Sequence, residues 1–218
     1  MKGFIGMDRS GSESQLPYVV SAIFMENKTD FSKTYKEIKH ICEKYNPILS
    51  YAKEIKAKEI NSLNTMKNII EMLVSNNAKI GVLVYNEKPS VIGKGFFKGE
   101  LKVESVLWFQ AANFLINMHR IQPQEIIMDI SFTNTKDQSL FDFCVQKLIE
   151  KEFGFQPFVK SMDSRYEDEI KIADLIAGFF RKEKVLRNDY KQFIANTTGK
   201  EIAKNVSYLR ALASHEYP

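Results

Sequence analysis

Short uninterrupted apolar runs alternate along this chain with longer stretches in which apolar residues recur every three or four positions. The first two runs, Lys2 to Met7 and Leu16 to Met25, carry β-branched and aromatic side chains and flank the turn-rich segment Arg9 to Ser14, so they predict two antiparallel strands. Tyr35, Ile38, Ile41, Cys42 and Tyr45 then recur at helical spacing, and Asn46-Pro47 closes that helix because the residue before a proline is disfavoured in the helical region. An extended piece is expected from Pro47 to about Lys56. Asn61 or Ser62 caps a second helix with the stripe Leu63, Met66, Ile69, Ile70 and Leu73.

Lys79 to Tyr85 is a continuous apolar run of strand length, the pattern of a central strand covered on both faces. The glycine-bearing stretch Ser90 to Lys102 reads as a loop or hairpin, and Val103 to Met118 as an apolar helix. Glu125 to Ile130, after Pro123, is a second buried strand with one carboxylate near its end. Ser139 with Asp142 three residues on approximates a capping box for a helix that Gly154 closes. Phe155 to Met162 reads as a further strand, Glu167 to Lys184 as a helix, and residues 185–218 as a helical extension. Two strands followed by alternating helices and strands describe one α/β domain over residues 1–218, a mixed sheet with helices on its faces. Such sheets place ligands beyond the carboxyl ends of strands, where strand order switches.

Composition narrows the class. Of 218 residues 44% are hydrophobic and 27% charged, ordinary globular values that argue against disorder or a coiled coil. Apolar stretches are broken well before the roughly 18 residues a spanning helix needs, and Asp8 and Arg9 interrupt the first run too early for an export signal. No membrane partner and a cytoplasmic location are therefore expected. Cys42 and Cys144 lie far apart within apolar helical stripes, the placement of reduced core residues. His40, His119 and His215 are equally scattered, and neither a zinc motif nor a serine or cysteine nucleophile motif is present. Thirty-one Lys and Arg against twenty-seven Asp and Glu give a net charge of +4, a mild aid to binding a polyanion.

Three acids stand out by context. Asp174 lies mid-helix in Ile170 to Phe180, which is apolar nearly all round, with the small residues Ala177 and Gly178 three and four positions on. A buried carboxylate there needs a cation, a donor or a metal, and Lys171 and Arg181 are the structural partners within reach along the helix. Asp129 ends a buried strand, where the alternative is a cap on the following turn. Asp8 ends the first strand and leads into Ser10-Gly11, where the alternative is an Asx-turn. A magnesium site would explain all three, since hard divalent cations take oxygen ligands and a pair of them supports phosphodiester cleavage.

The order and spacing of four short motifs carry a resemblance. Asp8-Arg9-Ser10-Gly11, Glu54-Ile55-Lys56-Ala57, the strand Ile126 to Asp129 and the helix Ile170 to Gly178 look like domain-of-unknown-function family 3800, which is similar to ribonuclease H-like nucleases. The resemblance implies a ribonuclease H-like mixed sheet flanked by helices, with Asp8, Glu54, Asp129 and Asp174 as both catalytic residues and ligands of two Mg2+ or Mn2+ ions. It also implies nucleic acid as partner, and places Arg9, Ser10, Lys56 and Lys171 on the substrate side, Lys56 as a phosphate ligand. Glu54 sits in alternating charge from Lys53 to Glu59 that equally describes a solvated surface. Arg9 stands where the family usually has Glu and Lys171 where it often has Gln. Each adds a cation near the expected centre, which would either neutralise the carboxylates or hold a phosphate.

Two further signals are weaker. Gly93 to Gly99 lacks the ending of a phosphate loop and reads as a loop. Arg181, Lys182, Lys184, Arg187 and Lys191 form a basic stretch suited to a nucleic-acid backbone or to solvent. Three readings result: a metal-dependent nuclease, a catalytically inactive binding module for nucleic acid or protein, and an open α/β protein for small phosphorylated molecules.

Overall fold

The computed structural model describes residues 1–12, 15–85, 100–182 and 203–206. Six strands form one mixed sheet in the order β5-β4-β1-β2-β3-β6. Strands β1 (Lys2–Ser12), β2 (Gln15–Met25) and β3 (Lys79–Tyr85) run antiparallel in succession; β4 (Gln122–Asp129) lies parallel to β1, and β5 (Phe158–Met162) parallel to β4. The α/β architecture with helices on both faces follows the sequence pattern.

Helices α1 (Lys28–Tyr45), α2 (Leu63–Ser75) and α5 (Asp168–Lys182) cover one face. There Val19, Ile23 and Val82 pack with Ile38, Ile69, Ile172 and Ile176. Helices α3 (Glu100–His119) and α4 (Thr135–Phe153) cover the other, where Ile5, Met7, Val20, Ile126 and Met128 meet Trp108, Leu115, Phe141 and Val145. The period-two alternation of strands sorts these residues, so consecutive positions of β1 and β4 serve opposite cores. Burying about 25 cal/mol for each Å² of apolar surface on both faces is the main stabilising term. Helix α5 lies against β1 at Gly6, where any Cβ would overlap the main chain of Glu169.

Several boundaries differ from the sequence reading. Strand β1 runs past Met7 to Ser12, into the turn-rich segment, with a register shift between Ser10 and Ser12 and Gly11 at φ 100°. The piece after Pro47 is not extended but forms two 3-10 turns, Pro47–Tyr51 and Ala57–Glu59. Helix α4 begins at Thr135 and is capped by Asn134, whose side chain accepts from the Lys136 N–H at 2.9 Å. Asp142 is no cap: it accepts from the N–H and hydroxyl of Ser161 on β5 at 3.0 and 2.6 Å. Residues 203–206 form strand β6, parallel to β3, inside the stretch expected to be helical. The loop Gly93 to Gly99, His215, and Lys184, Arg187 and Lys191 lie outside the described residues. No helix among the described residues is long and apolar enough to cross a membrane.

Candidate functional site

Asp8 and Asp129 are delivered by neighbouring parallel strands. Met7 pairs with Met128 in the core under α3 and α4, so the next residues of each strand, Asp8 and Asp129, are turned to the α5 face. Asp8 also pairs across the sheet with Ser21, whose hydroxyl donates to the Ala173 carbonyl at 2.6 Å. That bond fixes α5 over β1 and β2 immediately before Asp174. Three carboxylates distant in sequence are thereby brought to the switch point where β1 has an antiparallel neighbour on one side and a parallel one on the other.

Glu54 joins them from the segment between the 3-10 turns. That segment is pinned by the Ile55 N–H donating to the Tyr35 hydroxyl at 3.1 Å and the Lys56 N–H donating to Glu59 Oε2 at 2.8 Å. Ala57 packs against Gly178, where a side chain would overlap the Ala57 Cβ, so the turn and α5 meet at closest approach. Glu54 is therefore not surface decoration. Its Oε1 accepts from Lys56 Nζ at 2.6 Å, and the same ammonium lies 3.0 Å from Asp174 Oδ2. The partner of Asp174 is thus Lys56 rather than Lys171 or Arg181. The second contact is an ion pair without the alignment of a hydrogen bond, and this buried Asp174 oxygen has no hydrogen-bond partner.

The electrostatics bear the mark of crowding. Burial raises the Asp8 carboxyl, 4% exposed, well above the ordinary aspartate range, and the charges of Asp174 and Asp129 raise it further. The Arg9 N–H, donating to Asp8 Oδ1 at 2.6 Å, and Lys56 oppose the shift. Burial likewise raises Asp129, against the N–H groups of Ile130 and Ser164 and the charge of Lys56. It raises Asp174 too, and Lys56 again opposes. The Lys56 ammonium is itself held above its ordinary value: partial burial acts against its charge, but the hydrogen bond to Glu54 and the charge of Asp174 prevail.

The residues expected on the substrate side divide. Ser10 and the 3-10 turn that follows Lys56 border a cleft of about 540 Å³ lined by Ser10, Ala57, Lys58, Asn61, Gly178 and Arg181 among others. Lys182, also at its wall, donates to the Ile60 carbonyl at 3.0 Å and to Asn61 Oδ1 at 2.6 Å. Arg9 and Lys171 are placed elsewhere. Strand alternation turns Arg9 to the α3 face, where its guanidinium pairs with buried Glu104 at 2.8 Å. Lys171, 8% exposed, donates to Asp168 at 2.8 Å and lies over the Tyr35 ring. Both cations thus form their ion pairs with acids outside the cluster, Glu104 and Asp168. Neither Cys42 nor Cys144 is in a disulfide.

Sequence reasoning passed over three residues. Glu104 is the one acid in the apolar run Val103 to Met118, the same signal that singled out Asp174; it accepts from Arg9, from the Tyr18 hydroxyl at 2.5 Å and from Trp108 Nε1 at 3.1 Å. Lys58 carries no sequence signal beyond polarity, and Asn61 reads only as a helix cap, a role that Ser62 takes by accepting from the Thr65 N–H.

The donor set suits a hard divalent ion: every candidate ligand is a carboxylate oxygen, one is an unsatisfied buried oxygen on Asp174, and Asp8 is buried where its charge requires a cation. As they stand, no three acidic, histidine or cysteine side chains among the described residues are gathered closely enough to hold an ion. The Lys56 ammonium fills the space between Glu54 and Asp174 instead.

No protein-family profile matches the chain, and no curated protein matches it in sequence. Among solved structures it resembles a chain of the PCNA:RNase HII complex from Archaeoglobus fulgidus, with a TM-score of 0.50 and 14% identity over 88% of this chain and 77% of that one. At that identity the likeness is one of fold. The fold is ribonuclease H-like, a mixed sheet flanked by helices.

Proposed function

We propose that the protein is a metal-dependent nuclease that hydrolyses phosphodiester bonds of nucleic acid. The observation that carries this reading is the convergence of Asp8, Asp129 and Asp174, with Glu54 beside them, at the centre of a ribonuclease H-like sheet. The resemblance of the four motifs to family 3800 agrees with it. Asp8, Asp129, Asp174 and Glu54 would hold Mg2+ or Mn2+. Two such ions supply an activated water and charge stabilisation at the leaving oxygen.

The chain's own residues do the rest. Ser21 and Gly178 set the spacing of β1, α5 and the Glu54 segment. The basic side chains at the cleft, Lys58 and Arg181, suit the phosphates of a strand laid from the carboxylates along α5. Mn2+-dependent cleavage of labelled RNA, DNA and hybrid oligonucleotides tests the reading. Asp8→Asn and Asp174→Asn should each abolish cleavage while leaving the fold intact by circular dichroism; retention of wild-type cleavage by both variants refutes it.

The second reading, an inactive binding module, is favoured by one observation: Lys56 already pairs with both Glu54 and Asp174. It requires that calorimetry detect no Mn2+ binding while nucleic-acid affinity still falls steeply with salt.

A further inference from the structure

We propose that Lys56 is a displaceable counter-ion, which holds the carboxylate cluster together without metal and is expelled toward the adjoining cleft when divalent ions enter. This rests on the nuclease reading. The Lys56 ammonium lies 2.6 Å from Glu54 Oε1 and 3.0 Å from Asp174 Oδ2, and its charge also reaches Asp8 and Asp129. Its bond to Glu54 is well formed, whereas its contact with Asp174 is an unaligned ion pair that leaves the Asp174 oxygen open to a better cation.

The main chain around Lys56 is tied at several points, whereas its side chain is held only through the ammonium. Its N–H is tied to Glu59, Ile55 to Tyr35, and Ala57 is wedged against Gly178. The lysine side chain is 39% exposed and has four rotatable carbons. Two divalent ions would match the four carboxylates in charge, so an ammonium left among them would be repelled. The next two residues, Ala57 and Lys58, already line the cleft beside Ser10 and Arg181. An expelled Lys56 therefore adds a cation where a phosphate would bind, and metal loading and phosphate capture become one event.

Two measurements on the full chain test this. MnCl2 titrated by calorimetry into Lys56→Met should bind about tenfold more tightly than into wild type, because no charged hydrogen bond is broken on entry. Lysine acetylation read by mass spectrometry on the wild-type chain should show Lys56 labelling severalfold faster with Mn2+ than without, and Lys58 unchanged as internal reference. This second readout stands even if the variant fails to fold. Mn2+ binding with unchanged Lys56 labelling, or with equal affinity in a folded Lys56→Met, overturns this inference alone. Absence of Mn2+ binding to wild type overturns the nuclease reading and this inference with it.

Discussion

The Ser21 hydroxyl on β2 donates to the Ala173 carbonyl of α5 at 2.6 Å, directly opposite Asp8 in the β1–β2 register and one residue before Asp174. A single buried bond thus sets the distance between two of the proposed metal ligands. Ser21→Ala removes it at a cost of about 1 kcal/mol, which lowers Tm by about 3 °C in a domain of this size. The expected distinguishing result is a severalfold weaker Mn2+ affinity by calorimetry. Unchanged affinity would show that the helix is held in place without this bond.

Gly178 controls the other side of the site. A Cβ there overlaps that of Ala57, so Gly178→Ala should push the 3-10 turn away and carry Glu54 and Lys56 with it. Overpacking of this kind costs about 1–3 kcal/mol. The double variant Gly178→Ala with Ala57→Gly restores the space and should recover most of the lost stability. Additive losses in thermal melts would mean the two residues do not share the contact.

Much of this arrangement was legible before any coordinates. An isolated acid in an apolar run is a costly placement, and that cost is visible at Asp8, Asp129 and Asp174 in the sequence itself. Which acids meet is a matter of strand order and register, which local patterns do not encode. Facing was partly readable: Ile5, Met7 and Arg9 share one side of β1 by alternation, so Arg9 belongs with the core under α3 and not with Asp8. The Lys56–Asp174 pair was hidden because it joins a loop to a distant helix, and alternating charge around Glu54 looks the same on an open surface. Strand β6 was missed because pairing with β3, not local propensity, makes Ala203–Val206 a strand.

Lys58 and Lys182 flank the same cleft but should behave differently. Lys182 is engaged with Ile60 and Asn61, whereas Lys58 is exposed at the wall. Lys58→Ala should weaken binding of a labelled oligonucleotide and reduce the slope of log affinity against log salt by about 1, with Tm unaltered. Lys182→Ala should lower Tm by loosening the junction of α5 with the segment before α2. Equal salt slopes for wild type and Lys58→Ala would remove this cleft as the path of the strand.

Arg9 separates stability from metal chemistry. Its guanidinium satisfies Glu104, which is 1% exposed and also bound by Tyr18 and Trp108. Arg9→Met should destabilise the fold by about 2 kcal/mol through loss of a charged hydrogen bond, yet leave Mn2+ affinity within a factor of about two. A large change in Mn2+ affinity at unchanged Tm would place Arg9 functionally at the carboxylates despite its opposite face.

Glu169 makes stability depend on pH. Its side chain is buried at the contact of α5 with Gly6, 3% exposed, and its Oε1 has no hydrogen bond; Lys28 of α1 stands 3.7 Å away. Burial raises its carboxyl above the ordinary 4.5, its own N–H and Lys28 oppose, and Glu167 and Asp168 add to the rise. Below pH 4.5 the group is protonated in both folded and unfolded chains and contributes no difference. As pH climbs past that value the unfolded chain releases its proton first, so the folded chain holds more protons and stability falls until the raised folded value is passed. Glu169→Gln removes this loss. Its Tm should match or trail wild type near pH 4 and exceed it near pH 7, the gap opening between the two. Parallel melting curves across that range would show that Lys28 fully compensates the buried charge.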